Sequence, residues 1–297
     1  MKRIVVVDLA GGIGNQIFLL EAAMFIASFN NGMVLINTTR IDRYHSSGKS
    51  TIEDFSLPEN VRYFKLNIFV DFIYFRLKVF LKFFNKFNRF PFLVLNEAYS
   101  NYKRSEIANI IVQKNARIIL LSGYWQNFTY WSNDLKYELR LERDQLHKVL
   151  NEMKSESPVV FHYRLGKLYN KWEHGWGALS PNYLLNALAT LENSIHNSLV
   201  VWVFSNDLME AKKLLEPLDC TPYKLFFIDD SKFSPAEIVV LFSKAKILIC
   251  SNSTLSIVAA KIGDVEKVIV PSELSKNGHE NIELPNIWRK VKSDWLD

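Results

Sequence analysis

Short β-branched runs alternate with helical segments along the whole chain, and most runs end in a turn rich in Gly, Asn, Ser or Asp. Ile4 to Asp8, Met33 to Asn37, Arg117 to Leu121, Val159 to His162, Leu199 to Phe204, Leu225 to Ile228, Ile247 to Cys250 and Lys267 to Val270 read as strands. Runs this short and apolar suit parallel strands buried on both faces. Between them, Gln16 to Phe29, roughly Asp134 to Ser155, Pro181 to Glu192, Leu208 to Leu215, Ala236 to Ser243 and Leu255 to Lys261 read as helices. Ser180 before Pro181 is an N-cap signal. Ser234 with Pro235 and Glu237 is a capping-box signal. The alternation predicts an α/β fold of two Rossmann-like series, joined near residues 150–158, hence domains at 1–155 and 156–297.

With 297 residues the chain has room for a large core. A net charge of +5 favours anionic partners: nucleotides, nucleic acid or an acidic membrane surface. Cys220 and Cys250 stand in no metal-ligand pattern, and Cys250 reads as a buried thiol in an apolar strand. The start of the chain lacks signal-peptide shape, and no stretch reaches the apolar length of a membrane span, so a cytoplasmic location is expected.

Three segments stand where an α/β protein places its ligand contacts, at carboxyl ends of strands. Gly11-Gly12-Ile13-Gly14-Asn15-Gln16 is a glycine turn after the first strand. It serves either a tight strand-to-helix connection or close approach of a ligand, and Ile17 departs from the dinucleotide fingerprint. Asn15 and Gln16 can meet a ligand or cap the helix. His162-Tyr163-Arg164-Leu165-Gly166 offers a fixed cation suited to phosphate oxygens; its alternative is a surface salt bridge with a core-edge histidine. Ser251-Asn252-Ser253-Thr254 opens a helix, where hydroxyls and N–H groups either hold an anion or simply cap. Asn206 and Asp207, and likewise Asp229 and Asp230, follow strands, where a carboxylate contacts a base or ribose or caps the next helix. Ser47-Gly48-Lys49-Ser50 fails as a P-loop because Arg43 occupies the required glycine position. No cluster has metal-ligand spacing.

Arg62 to Phe92 differs from the rest, being dense in Phe and Tyr. Lys78, Lys82, Lys86 and Arg89 form one stripe if the segment is helical. Three readings stay open: an interfacial helix on anionic lipid, a lid for an acceptor, or a buried helix with snorkelling lysines. The narrow stripe disfavours nucleic acid.

Taken in order, the motifs resemble the bacterial α-1,2-fucosyltransferases of glycosyltransferase family 11. The carrying residues are Gly11 to Phe18, Gly123-Tyr124-Trp125-Gln126, His162 to Lys167 with Leu179-Ser180 and Tyr183, Phe204 to Asp207, and Ser251 to Ser256 with Ala259-Ala260. The resemblance implies a GT-B fold, two Rossmann-like domains facing a central cleft that holds GDP-fucose. It implies inverting transfer to a galactoside without a metal or a further cofactor, the acceptor being a glycan on a lipid carrier in surface polysaccharide synthesis. On this basis Arg164 and His162 are the catalytic candidates. Gly12, Gly14, Asn15, Gln16, Asn206, Asp207, Asn252, Ser253 and Thr254 are the donor contacts, and Glu173 and His174 are candidate bases. The chain departs from the family where a second arginine is replaced by Leu165 and an aspartate by Lys167, which leaves open a transferase for another nucleotide sugar or an inactive glycan- or membrane-binding relative.

Overall fold

The computed structural model describes residues 2–39, 41, 51–86, 90–96, 101–131, 135–165, 176–191, 199–219, 222–277 and 282–296. The chain forms two compact units, Met1–Glu138 and Leu139–Asp297.

In the first unit, β1 (Ile4–Asp8), β2 (Met33–Asn37), β3 (Val61–Phe64), β4 (Phe92–Leu95) and β5 (Ile118–Leu121) make one parallel sheet in the order β3-β2-β1-β5-β4. The register pairs Ile4 with both Met33 and Ile118, so the strands finish level, Asp8 beside Asn37. Helix α1 (Ile13–Ser28) is apolar nearly all round and is buried on almost every side, as such a sequence requires. Its one buried carboxylate, Glu21, accepts a hydrogen bond from the Tyr137 hydroxyl at 2.7 Å. That contact and burial push the Tyr137 hydroxyl well above its ordinary pKa. Helices α2 (Ile68–Phe83) and α3 (Arg104–Lys114) also belong to this unit.

The second unit contains β6 (Val159–His162), β7 (Leu199–Ser205), β8 (Tyr223–Asp229), β9 (Ile247–Ile249), β10 (Lys267–Pro271) and β11 (Arg289–Val291), again parallel, in the order β11-β10-β9-β6-β7-β8. This is the doubly wound order, with the direction of winding reversing between β6 and β9. Around the sheet lie α4 (Asp144–Glu156), α5 (Pro181–Ala189), α6 (Leu208–Leu215), α7 (Pro235–Ser243) and α8 (Thr254–Ile262). One core cluster gathers Phe161, Tyr163, Tyr183, Leu188 and Val203. The Tyr183 hydroxyl donates to the Cys250 carbonyl at 2.8 Å, tying α5 to the end of β9. Cys250 is buried, and burial pushes its thiol up to about 12.

The expected caps form. Ser180 accepts from the Asn182 N–H, and Ser234 with Glu237 closes a capping box at α7. The domain boundary differs from the expected 155/156 and falls at Glu138/Leu139. The charged helix α4 belongs to the second unit because both its ends are tied there. Arg143 donates from Nε to Glu237 at 2.7 Å and from Nη2 to the Lys232 carbonyl at 2.8 Å. Trp202 donates to Glu156 at 3.2 Å. The sequence places the junction near residues 150–158 because a second α/β series begins after Pro158. Strands β3, β4 and β11 and helix α3 were not anticipated. Their runs are four residues or fewer for the strands, and α3 lacks a wide apolar face.

Helices α7 and α8 approach so closely at Gly263 that a Cβ there would sit 2.1 Å from the Ser243 carbonyl oxygen. Backbone cannot yield as a flexible side chain can. Gly263→Ala is therefore expected to cost about 1–3 kcal/mol, the usual range for overpacking, read from the urea midpoint.

Candidate functional site

In the second unit the strand-end motifs meet at the reversal point. The loop after β6 and the loop after β9 are joined by a 3.0 Å hydrogen bond between His162 Nδ1 and the Ser251 hydroxyl. His162 also lies against the Phe242 ring at 5.2 Å and is fully buried. Burial, with Arg164 nearby, lowers its pKa to about 3, so the imidazole is neutral. The buried neutral ring holds the two loops together, a positioning role that shapes the Arg164 loop.

Arg164 follows directly and is half-buried. The loop that carries it is fixed through Asn206, which clamps the Leu165 backbone twice. Nδ2 donates to the Leu165 carbonyl at 2.7 Å, and Oδ1 accepts from the Leu165 N–H at 2.9 Å. Asn206 was expected to touch a ligand, but its amide is committed to this clamp. Tyr163, just before, stacks on Phe161 and donates its N–H to the Phe204 carbonyl at 2.8 Å. Asp207 caps α6, accepting from the Glu210 N–H at 3.2 Å. Its expected ligand contact gives way to the capping role that was its alternative.

The second face of this site is the start of α8. Ser253 is its N-cap, accepting from the Leu255 N–H at 3.4 Å, and Thr254 is the first helical residue; both are half-buried. The first-turn N–H groups point outward by helix geometry and carry the positive end of the helix dipole. Asn252 is buried and donates to the carbonyls of Trp176 at 3.3 Å and Gly177 at 3.0 Å. Its Oδ1 has no hydrogen-bond partner among the described residues. Gly166, Lys167, Glu173 and His174 lie outside the described residues, as do Ser47 to Ser50.

Asp230 emerges as a further member. It follows β8 on a one-turn helix, Asp230–Lys232, and interacts electrostatically with Arg164. Burial raises its pKa to about 6 despite the attraction of Arg164, with Asp229 adding to the rise. The sequence signal was a carboxylate pair at a strand end, indistinguishable there from a cap; Asp229 is indeed the one that caps, accepting from Ser231.

In the first unit the corresponding place is the meeting of β1 and β5. Gly11 has φ +70°, and a Cβ there would lie 2.3 Å from Asn15 Nδ2, so only glycine fits without strain. Gly12 is exposed with open space before it, whereas Gly14 is buried in the first turn of α1. Asn15 accepts from Gln126 Nε2 at 2.8 Å, which joins the glycine turn to the aromatic loop after β5. Gln16 is buried: it donates to the Gly11 carbonyl at 3.1 Å and accepts from the Ile52 N–H at 3.1 Å. These bonds make it a structural tether. Asp8 and Asn37, overlooked in the sequence, end their strands here, Asn37 donating to Asp8 at 2.9 Å, and Lys78 forms an ion pair with Asp8.

Two outcomes follow. Asn206→Ala leaves two backbone groups of Leu165 without partners and is expected to lower stability by about 1–3 kcal/mol in denaturant titration. Asp230 has a folded pKa above its ordinary 3.8, so its share of stability is present below pH 4 and lost as pH rises through about 6. Asp230→Asn should therefore gain on wild type in melting temperature between pH 4 and 6.5 and then hold a constant advantage. A pH-independent difference would show that Asp230 is not buried as described.

No protein-family model matches the chain, and no curated protein matches it. Solved structures do. The fucosyltransferase NodZ from Bradyrhizobium shares 12% identity over 90% of this chain and 95% of that one, with a TM-score of 0.50. NodZ α-1,6-fucosyltransferase soaked with GDP-fucose gives 12% identity, 96% and 100% coverage, and a TM-score of 0.50. A glycosyl transferase of family 9 from Veillonella parvula gives 9% identity, 98% and 86% coverage, and a TM-score of 0.47. At such identities the likeness to NodZ speaks for architecture. The fold is α/β of the GT-B type, with two parallel α/β sheets following one another along the chain.

Proposed function

We propose that the protein is an inverting, metal-independent glycosyltransferase that moves fucose from GDP-fucose to a galactose-containing glycan in α-1,2 linkage. It would act at the cytoplasmic face of a bacterial membrane, on a lipid-linked acceptor in surface polysaccharide synthesis. The observation that carries the transferase reading is the junction of the Arg164 loop with the α8 loop at the β6/β9 reversal. A half-buried cation and a helix N-terminus side by side suit a diphosphate. The choice of GDP-fucose and of the linkage is supported by the order of the sequence motifs.

In the reaction an acceptor oxygen bonds to the anomeric carbon while the bond from that carbon to the diphosphate oxygen breaks. The electron pair leaves with GDP, and the acceptor proton passes to a base. Arg164 and the first-turn N–H groups of α8 stabilise the charge gathering on the departing diphosphate, the kind of preorganised electrostatics that usually dominates catalysis. His162, Ser251 and Asn206 hold those groups in place beforehand. Asp230 limits how far the Arg164 guanidinium strays from the site through their mutual attraction.

Leu165 favours a second reading, a transferase for another nucleotide sugar. Where the resembling family has arginine, this chain buries a leucine in its core.

The test is a melting-temperature screen of the whole protein with GDP, UDP, CMP, NAD and GDP-fucose in the presence of EDTA. A ligand at 100 times its Kd adds about 2.7 kcal/mol to stability. Stabilisation by GDP and GDP-fucose alone is expected; a response to UDP or CMP instead would keep the fold and overturn the donor. Arg164→Ala removes charge-assisted hydrogen bonds worth about 1.5–3 kcal/mol and is expected to weaken GDP roughly 10- to 100-fold. Unchanged GDP affinity and turnover in that variant would remove Arg164 from the site.

A further inference from the structure

Helix α2 has the polarity of a surface helix turned inside out. Asp71 points inward and is 6% exposed, Leu81 is buried, and Lys78 reaches inward to its ion pair with Asp8. The opposite side is apolar and faces out: Phe69 is 73% exposed, Phe80 58% and Phe83 71%, with Phe72 and Ile73 between them. At 100° per residue these five positions fall within one broad face. A contiguous apolar surface of this kind marks an interaction site, unlike single exposed hydrophobes.

The charges on that side have one sign. Arg76 lies in the middle of the face with its guanidinium 5.2 Å from the Phe72 ring centroid, and Lys82, exposed, stands in the last turn of the helix. The sole carboxylate of the helix, Asp71, is on the inner side. The stripe expected of Lys78 and Lys82 is divided in use: Lys78 is ion-paired with Asp8, and Lys82 is exposed.

We propose that α2 is an interfacial helix that lies on an anionic lipid bilayer. Its phenylalanines enter the boundary between headgroups and acyl chains, and Arg76 and Lys82 reach the lipid phosphates. Charge selects this occupant over a second copy of the chain. A two-fold pairing centred on this face would set Arg76 against its own counterpart, with Asp71, the helix's carboxylate, turned inward. The mode is to lie on the membrane, not to cross it. A 16-residue helix is about 24 Å long, and among the described residues no helix is long and apolar enough to span. The inference is independent of the transferase reading, since it uses neither Arg164 nor α8.

The experiment is flotation of the full chain with vesicles of phosphatidylcholine alone or mixed with phosphatidylglycerol, next to sedimentation velocity without lipid. The wild type is expected to float with the mixed vesicles and much less with phosphatidylcholine alone. Joint Phe69→Ser, Phe80→Ser and Phe83→Ser should weaken binding by at least ~100-fold while changing the melting temperature little, because all three side chains are more than half exposed and Phe80 rests on the Phe84 ring at 5.1 Å. Arg76→Glu with Lys82→Glu should lose roughly tenfold or more, and with it the preference for anionic lipid. No flotation, or equal flotation with both vesicles, overturns the proposal. So does a wild-type dimer that the triple serine variant converts to monomer, which would give the face to a second copy.

Discussion

A parallel sheet sends the carboxyl ends of all its strands to one edge, and that constraint organises everything chemical in this protein. The neighbouring strands β6 and β9 belong to opposite halves of the winding, so their following loops diverge and leave a notch. Into that notch the sequence delivers a cation from one loop and a helix N-terminus from the other. The hydrogen bond from His162 to Ser251 crosses between them. It ties together residues that stand 89 positions apart in the sequence. The first unit repeats the device with other residues, Asn15 and Gln126 bridging the loops after β1 and β5.

Polar side chains around the notch are committed to backbone groups before any ligand arrives. Asn206 satisfies both backbone groups of Leu165, and Asn252 holds the carbonyls of residues 176 and 177. Such commitments lower the reorganisation left for binding, which is how rigid sites gain affinity without new contacts. They also sort the polar residues of the strand ends into two kinds. Arg164, Ser253 and Thr254 face partly outward, whereas His162, Ser251 and Asn252 form the frame behind them.

Much of this was legible in the amino-acid order. Strand positions β1, β2 and β6 were read to the residue, because β-branched runs ending in Asp, Asn or His leave little choice. Roles within the motifs were less legible. Gln16, Asn206 and Asp207 have the chemistry of ligand contacts, yet each is used as a tether, clamp or cap; nothing in their local sequence distinguishes the uses, which depend on partners 36 to 41 residues away for Gln16 and Asn206. Asp230 was visible only as one of a pair, since its proximity to Arg164 is created by the pairing of β7 with both β6 and β8. The short edge strands escaped notice because four residues carry too little periodicity to outweigh their surroundings.

Helix α2 has a consequence for how this protein would respond to selection or engineering. Its rotational setting is keyed by a polar contact, Lys78 with Asp8, while Phe69 and Phe83 stand largely exposed. Serine in place of Phe69 or Phe83 should look beneficial by the usual laboratory criteria, giving better yield and less precipitation at no cost in melting temperature. A variant improved on those criteria alone would discard the outer face of α2 first, and purified material would give no warning that anything had been lost.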